Sequence, residues 1–315
     1  MKKPLIILTG PTASGKTELS IALAKSVNGA VISADSVQVY KYMDIGSAKI
    51  RKEEMQGVPH YLIDELMPDD EFHVAEFQNR AKNAMQEIYG DGRIPILTGG
   101  TGFYIQAVLY DIDFKENDSQ KEYRRFLEQT AKEKGASFLH QMLQKTDPKS
   151  AEAIHEHNVK RVIRALEFYH ETGMKISEHN EEERQKESPY QFAYFVLTDA
   201  RERLYEKIER RVDQMMEDGL LNEVRKLKEM GYDRSLVSMQ ALGYKEMLAC
   251  LDGEISLGEA VSVLKRDTRH FAKRQLTWFK RERDVIWVDK REFGYDNDKL
   301  LEYCLACLRE KNIIV

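Results

Sequence analysis

The sequence predicts an α/β protein built on a parallel sheet with flanking helices and interrupted by an all-helical insertion, and three observations carry that prediction. Apolar runs of strand length alternate with helical patterns from the N-terminus to about residue 113. Each of those runs ends in a polar or glycine-rich turn, as the C-terminal rim of an open α/β sheet requires. The alternation then stops, and strand pattern returns only at Gln191-Phe-Ala-Tyr-Phe-Val-Leu197. The core is therefore assigned to residues 1–113 and 190–315, and the insertion to 114–189.

The first run, Leu5-Ile-Ile-Leu8, enters Gly10-Pro-Thr-Ala-Ser-Gly-Lys-Thr17, and a helical pattern leaves it from Glu18 to Val27. Strand, G-x-x-x-x-G-K-[ST] and helix in that order make a phosphate loop, so the core is P-loop NTPase-like. Glycines let the backbone N–H groups of Thr12, Ala13, Ser14 and Gly15 turn around phosphate oxygens at a helix N-terminus, which already favours anions. Lys16 then reaches those oxygens and Thr17 a Mg2+ ion. The motif identifies a diphosphate and leaves open what is attached to it.

The second strand, Ala30-Val-Ile-Ser-Ala34, is followed by Asp35-Ser-Val-Gln-Val-Tyr40. Asp35 either closes an Asx-turn or faces a ligand at the rim. Gly92-Arg-Ile-Pro-Ile-Leu-Thr98 is the next strand, running into Gly99-Gly-Thr-Gly-Phe-Tyr104 and a helix to about Leu109. Thr101 there is either the N-cap of that helix or a hydroxyl for a phosphate oxygen. The insertion reads as helices over Glu122–Lys134, Ala136–Gln144, Lys149–His155 and Val159–His170, closed by a polar run from Glu178 to Glu187. An insertion between core strands is well placed to act as a lid.

After Arg201 the chain is mostly helical, with Leu204, Ile208, Val212 and Met215 on one face, helix stops at Gly219 and Gly231, and a further helix opened by Met239–Glu246. From Lys265 to Arg283 eight Lys and Arg residues stand against two acids, Asp267 and Glu282, with Phe271, Trp278 and Phe279 between them. That is either a solvated basic helix or a surface for a phosphodiester backbone with unstacked bases. Asp284–Asp289 reads as a last strand.

Composition sets outer limits. Charged residues at 32% and hydrophobic ones at 42% suit a folded chain, and no apolar run approaches the ~20 residues of a membrane helix. Met1-Lys-Lys-Pro enters the first strand directly, so a cytoplasmic protein without membrane attachment is expected. Cys304 and Cys307 form a C-x-x-C, but inside an amphipathic helical pattern with no second pair, which favours a core helix face over zinc. A net charge of −5 excludes a globally basic nucleic-acid binder and leaves room for a local basic surface.

Taken together, Gly10–Thr17, Asp35–Tyr40, Gly46-Ser-Ala-Lys49, Gly99-Gly-Thr-Gly102, Lys160-Arg-Val-Ile-Arg-Ala-Leu-Glu167, Arg201, Gly243-Tyr-Lys-Glu246 and Lys273-Arg-Gln-Leu-Thr-Trp278 resemble the tRNA dimethylallyltransferases, nearly end to end. The one departure is His155-Glu-His-Asn158, where the family has His-Pro-Asn. The resemblance implies transfer of a dimethylallyl group from dimethylallyl diphosphate to the N6 amine of the adenosine 3′ of the anticodon, with the phosphate loop holding diphosphate instead of ATP. It further implies Asp35 as general base, Thr101 on the bridging oxygen of the leaving group, and Lys16 and Arg201 as its cations, with Mg2+ on Thr17. Ser36, Val37 and Gln38 would line the pocket of the extruded base. Contacts to the tRNA anticodon stem-loop are implied for Lys160, Arg161, Arg164, Gln240, Gly243, Tyr244, Lys245, Lys273, Arg274, Gln275, Trp278 and Lys280; Arg124 is either a further contact or an ordinary surface arginine. The family pattern also implies a monomer, and the lack of a C-terminal Cys/His finger a bacterial type.

Three rivals stay on the table. A P-loop small-molecule kinase would carry an acid after an apolar strand to help hold Mg2+, whereas Ile94-Pro-Ile-Leu97 runs into Thr98-Gly-Gly. An isopentenyltransferase for free adenine nucleotides would share the loop and Asp35-Ser36 but leaves the basic aromatic stretch and the insertion unused. An RNA-binding adaptor leaves the phosphate loop unexplained.

Overall fold

The structure is a computed structural model that describes residues 2–114 and 120–314. The chain divides into one compact unit made of Met1–Asp111 with Pro189–Val315, and a second made of Ile112–Ser188.

In the first unit the strands are β1 (Lys3–Thr9), β2 (Gly29–Ala34), β3 (His60–Tyr61), β4 (Ile94–Gly99), β5 (Tyr190–Thr198) and β6 (Val285–Asp289). They form one parallel sheet in the order β3-β2-β4-β1-β5-β6. The inner strands β1, β2 and β5 are buried on both faces, which is why they read as continuous apolar runs and not as alternation. Around the sheet stand α1 (Lys16–Ser26), α2 (Val74–Gly90) and α3 (Gly102–Leu109). The second unit contributes α4 (Gln120–Lys134), α5 (Ala136–Thr146), α6 (Pro148–Ala153), α7 (Val159–Thr172) and α8 (Ile176–Gln185). The chain then returns to the first unit with α9 (Arg201–Glu217), α10 (Leu220–Glu229), α11 (Tyr244–Leu251), α12 (Leu257–Phe279) and α13 (Asn297–Glu310).

Two of the apolar cores of the first unit bear on the site. One joins the sheet to α1 and α13 through Ile6, Leu8, Leu23, Ile96, Phe195, Cys304 and Leu308. Cys304 is thus a core side chain, and among the described residues no group of His, Cys, Asp or Glu is arranged to hold a metal. The other packs the segment after β2 against α9 to α12 through Val39, Met43, Val212, Leu220, Met239, Tyr244 and Leu264. Glu223 on α10 ties that segment down: its carboxylate accepts from the amides of Asp44, Ile45 and Gly46 at 3.1, 2.8 and 3.2 Å, and from the Tyr244 hydroxyl at 2.8 Å. Lys49 adds a second tie, donating to the Tyr40 carbonyl and to Asp44 and Asp64.

The second unit has its own core of Leu127, Leu139, Leu143, Val162, Ile163 and Leu166. Asp147 organises one side of it, its carboxylate accepting from Ser150 and Ser177 through both backbone amides and both hydroxyls. Those bonds outweigh desolvation and hold the Asp147 carboxyl below its ordinary range. The polar run from Glu178 to Glu187 that closes the insertion is largely helix, α8, with an ion pair between Lys175 and Glu178 at its start.

Candidate active site

Three neighbouring strands end in register, and that places the site. Thr9 pairs with Gly99 and Gly99 with Ala34, so the phosphate loop, Asp35 and Thr101 leave the sheet side by side. Short bonds fix the rim: the Thr9 hydroxyl donates to the Gly99 carbonyl at 2.6 Å, and the Thr101 amide to the Ala34 carbonyl at 3.2 Å. Gly15 caps α1 at φ +89°, where glycine is free, whereas Ala13 is held in the left-handed region at +63° against its Cβ. The Ser14 hydroxyl is buried in the loop without a hydrogen-bond partner, an oriented group of the kind a bound oxyanion satisfies.

Lys16 folds back onto its own loop, donating to the carbonyls of Gly10 and Pro11 at 3.0 and 2.8 Å. Burial and the nearby Arg211 guanidinium pull its pKa down from 10.5 to about 7, against an opposing pull from Asp35. Arg211, on α9, donates to the Thr12 hydroxyl at 3.3 Å and feels the Asp35 carboxylate as well. Lys16, Arg211 and Asp35 therefore share one electrostatic site. Arg201, the arginine expected here, lies exposed at the start of α9 with its Nε 3.2 Å from the Tyr205 hydroxyl; the guanidinium that reaches the loop is that of Arg211. Tyr205 in turn joins Ala13, Leu204, Ile208, Ala272 and Leu276 in a small apolar cluster that seats the loop on α9 and α12.

Asp35 does close an Asx-turn, its Oδ1 accepting from the amides of Val37 and Gln38 at 2.9 and 3.3 Å. The turn fixes one oxygen and leaves Oδ2 for the site, so the two readings of this residue are compatible. Thr101 occupies the N-cap position of α3, yet its hydroxyl makes no capping bond. Beside the turn lies a cavity of about 210 Å³, lined by Ser36, Val37, Tyr40, Phe72, Tyr104 and Gln240 among others. Phe72 sits edge-on to the Tyr40 and Tyr104 rings, and burial pushes the Tyr40 hydroxyl up to about 12, so it stays a neutral donor.

Several expected contact residues are placed differently. Gln38 does not line the cavity: its amide is spent on Ser33 and on the carbonyls of Ser47 and Ala48. Tyr244 is 0% exposed under Gly46, bonded to Glu223, and offers no surface to RNA. Gly243 caps α11 next to it at φ +93°. Gln275, 6% exposed, faces inward. In the second unit Arg124 makes a two-toothed pair with the buried Glu167 at 2.7 and 2.9 Å, so its guanidinium holds α4 to α7. Lys160 and Arg161 are exposed on α7 and Arg164 partly so; Lys273, Arg274 and Lys280 are exposed on or beside α12, Trp278 is half-buried, and Lys245 on α11 is half-buried beside the carboxylates of Glu246 and Asp267 at 3.4 and 3.8 Å.

Two cations at the loop were absent from the sequence reading. Arg211 is one, and its signal was available, since 204, 208, 211 and 215 follow the 4-3-4 spacing of the buried face of α9. Lys290, just past β6, is the other: it is buried, with Nζ 3.5 Å from the Ser14 carbonyl and its pKa lowered by burial. Nothing local marks it.

Residues 38–282 match the model of a family described as IPP transferase. A tRNA dimethylallyltransferase of Lachnoclostridium phytofermentans is 62% identical, covering 99% of both chains, and one of Acetivibrio thermocellus 53% identical over 96% of this chain and 97% of its own length. The crystal structure of a tRNA isopentenylpyrophosphate transferase from Bacillus halodurans superposes with a TM-score of 0.73 at 45% identity, covering 99% and 98% of the two chains. A eukaryotic dimethylallyltransferase captured acting on tRNA gives 0.77 at 30% identity, over 91% of this chain and 74% of its own.

Proposed function

The chain belongs to the IPP transferase family and is a tRNA dimethylallyltransferase, a prenyl transferase, and on that premise we propose how its residues divide the reaction. The donor is dimethylallyl diphosphate and the acceptor the N6 amine of the adenosine 3′ of the anticodon. The allylic C–O bond breaks, its electron pair leaves with diphosphate, the N6 lone pair forms the new C–N bond, and the N6 proton passes to Asp35. Negative charge grows on the diphosphate as this happens, so donors and cations already in place there lower the barrier. The amides at the start of α1, Lys16, Arg211 and the Ser14 hydroxyl supply them, with Thr101 on the bridging oxygen.

Mg2+ prefers oxygen ligands, keeps several waters and binds chiefly through phosphates. One exposed hydroxyl, Thr17 at the first turn of α1, suits that demand, and Thr17 would hold the ion. Bound there, Mg2+ would neutralise charge on the diphosphate.

The observation that carries this reading is the in-register ending of β2, β4 and β1, which sets Asp35 and Thr101 beside the phosphate loop with Arg211 between loop and base. The cavity lined by Tyr40, Phe72 and Tyr104 has room for one heteroaromatic base and opens next to Asp35. Extruding the adenine costs a few kcal/mol, which stacking and backbone contacts offset. The exposed cations of α7 and α12 make those contacts, with Gln240 and the ring of Trp278 beside them.

Incubation of tRNA transcripts with Mg2+ and labelled dimethylallyl diphosphate, with ATP and AMP as controls, tests the whole reading: label enters tRNA and ATP is not consumed. Steady ADP release onto a small acceptor would promote the kinase instead. For the RNA surface, single Ala substitutions of Lys273, Arg274 and Lys280 each reduce the slope of log K for tRNA against log salt by about 0.7 to 0.9. Unchanged slopes in all three would return α12 to a solvated helix.

A further inference from the structure

Gln275 stands at the meeting point of three elements. Its Oε1 accepts from the Thr12 amide of the phosphate loop at 2.9 Å, and its Nε2 donates to the Gly100 carbonyl at 3.0 Å. The fit is close: a Cβ added to Gly100 would lie 2.1 Å from Nε2, and one added to Gly102 2.2 Å from the Trp278 ring. One turn of α12, carrying Gln275 and Trp278, is thus pressed directly onto the two glycines that flank Thr101. Of the amides expected on phosphate, that of Thr12 is thus taken by Gln275 and that of Ser14 by the Pro11 carbonyl at 3.2 Å, while those at the start of α1 are left for an anion.

We infer that Gln275 is a positioning residue that sets the distance between the phosphate loop and Thr101. The side-chain amide is one rigid plane with a donor and an acceptor, and it pins two loops that arrive from different strands. This rests on the reading above, in which the loop holds diphosphate and Thr101 the bridging oxygen of the same leaving group. A shift of an ångström between them is felt as a loss of about 10² in rate with binding little changed. Of the possible replacements, leucine fills the volume and pins neither loop. Glutamate keeps the bond from Thr12 and sets a carboxylate against the Gly100 carbonyl.

The test uses the full chain and two probes. First, inorganic pyrophosphate with Mg2+ is titrated into a Trp287→Phe background, where Trp278 is the one indole left; binding changes its emission, because Gln275 links the loop to the helix turn that bears it. In Gln275→Leu pyrophosphate still binds, within about threefold, and the emission change is lost. Second, single-turnover transfer falls about 10²-fold in Gln275→Leu and at least as far in Gln275→Glu, with KM for tRNA unchanged. If Gln275→Leu does not fold, Gln275→Glu decides the matter by the same readings. Wild-type rates with an intact emission change overturn the inference, as does a defect confined to KM for tRNA, which would make Gln275 an RNA contact. Failure of the starting protein to bind pyrophosphate sinks the reading of the loop itself, and is seen before any Gln275 variant is compared.

Discussion

Asp35→Asn lowers single-turnover prenyl transfer by roughly 10² to 10⁴, the usual contribution of a positioned base, while tRNA and diphosphate both still bind. The Asx-turn makes Asn the decisive variant. Asp35→Ala removes the acceptor of the Val37 and Gln38 amides as well as the base, so part of its defect belongs to the turn. Asn keeps an oxygen for those two amides and loses only the ability to take a proton. Affinity for pyrophosphate is unchanged or rises, because a carboxylate near the anion repels it. A nearly active Asn variant would reduce Asp35 to a turn residue. Saturating tRNA and single-turnover conditions are needed, since product release can limit steady-state turnover and hide a chemical defect.

Lys16→Met abolishes useful transfer, with kcat/KM for the diphosphate substrate down about 10² to 10³ or more, and leaves most tRNA binding intact; Arg211→Met does the same to a lesser degree. A charge at the loop also has a signature in stability. Lys16 is pulled down to about 7 from 10.5, so between those values the unfolded chain binds more protons than the folded one, and stability rises with pH. The destabilisation is complete below pH 7 and gone by about pH 10.5. Melting curves of the ligand-free protein from pH 6 to 10 therefore show Lys16→Met gaining most on the wild type at low pH, the difference shrinking as pH rises. Parallel curves at all pH values would mean that Lys16 is already well solvated.

The parts of the site that could be read from the chain are those made by consecutive residues. A glycine-rich loop between strand and helix, and a polar turn after a buried strand, state their geometry locally. Facing is harder to read. Tyr244 and Gln275 sit in motifs that resemble RNA-contacting positions, yet Tyr244 packs under Gly46, and Gln275 shares the buried line of Ala272 and Phe279 on α12. Arg211 falls on the 4-3-4 face of α9, which says that it turns inward but not that it meets Thr12. The short edge strand β3 carries no periodicity in its two residues, whereas α2 was legible and overlooked, since Phe77, Ala81, Met85 and Ile88 follow the 4-4-3 spacing of a buried helix face.

The pairing of β1 with β5 has a consequence for how the molecule comes into being. A chain emerging N-terminus first can join β1, β2 and β4 early, and with them the phosphate loop, Asp35 and Thr101. The strand that completes the middle of the sheet comes only after all of α4 to α8, so that pairing is the most distant in sequence and is made late. Arg211 and Gln275 follow later still. A nascent or truncated chain ending before residue 190 bears the signature motif without the arginine and the amide that make it a site, and exposes the flank of β1 to any other unpaired strand. Synthesis thus delivers chemical competence last, so a pause or a proteolytic cut upstream of β5 yields a fragment prone to aggregate and unable to react.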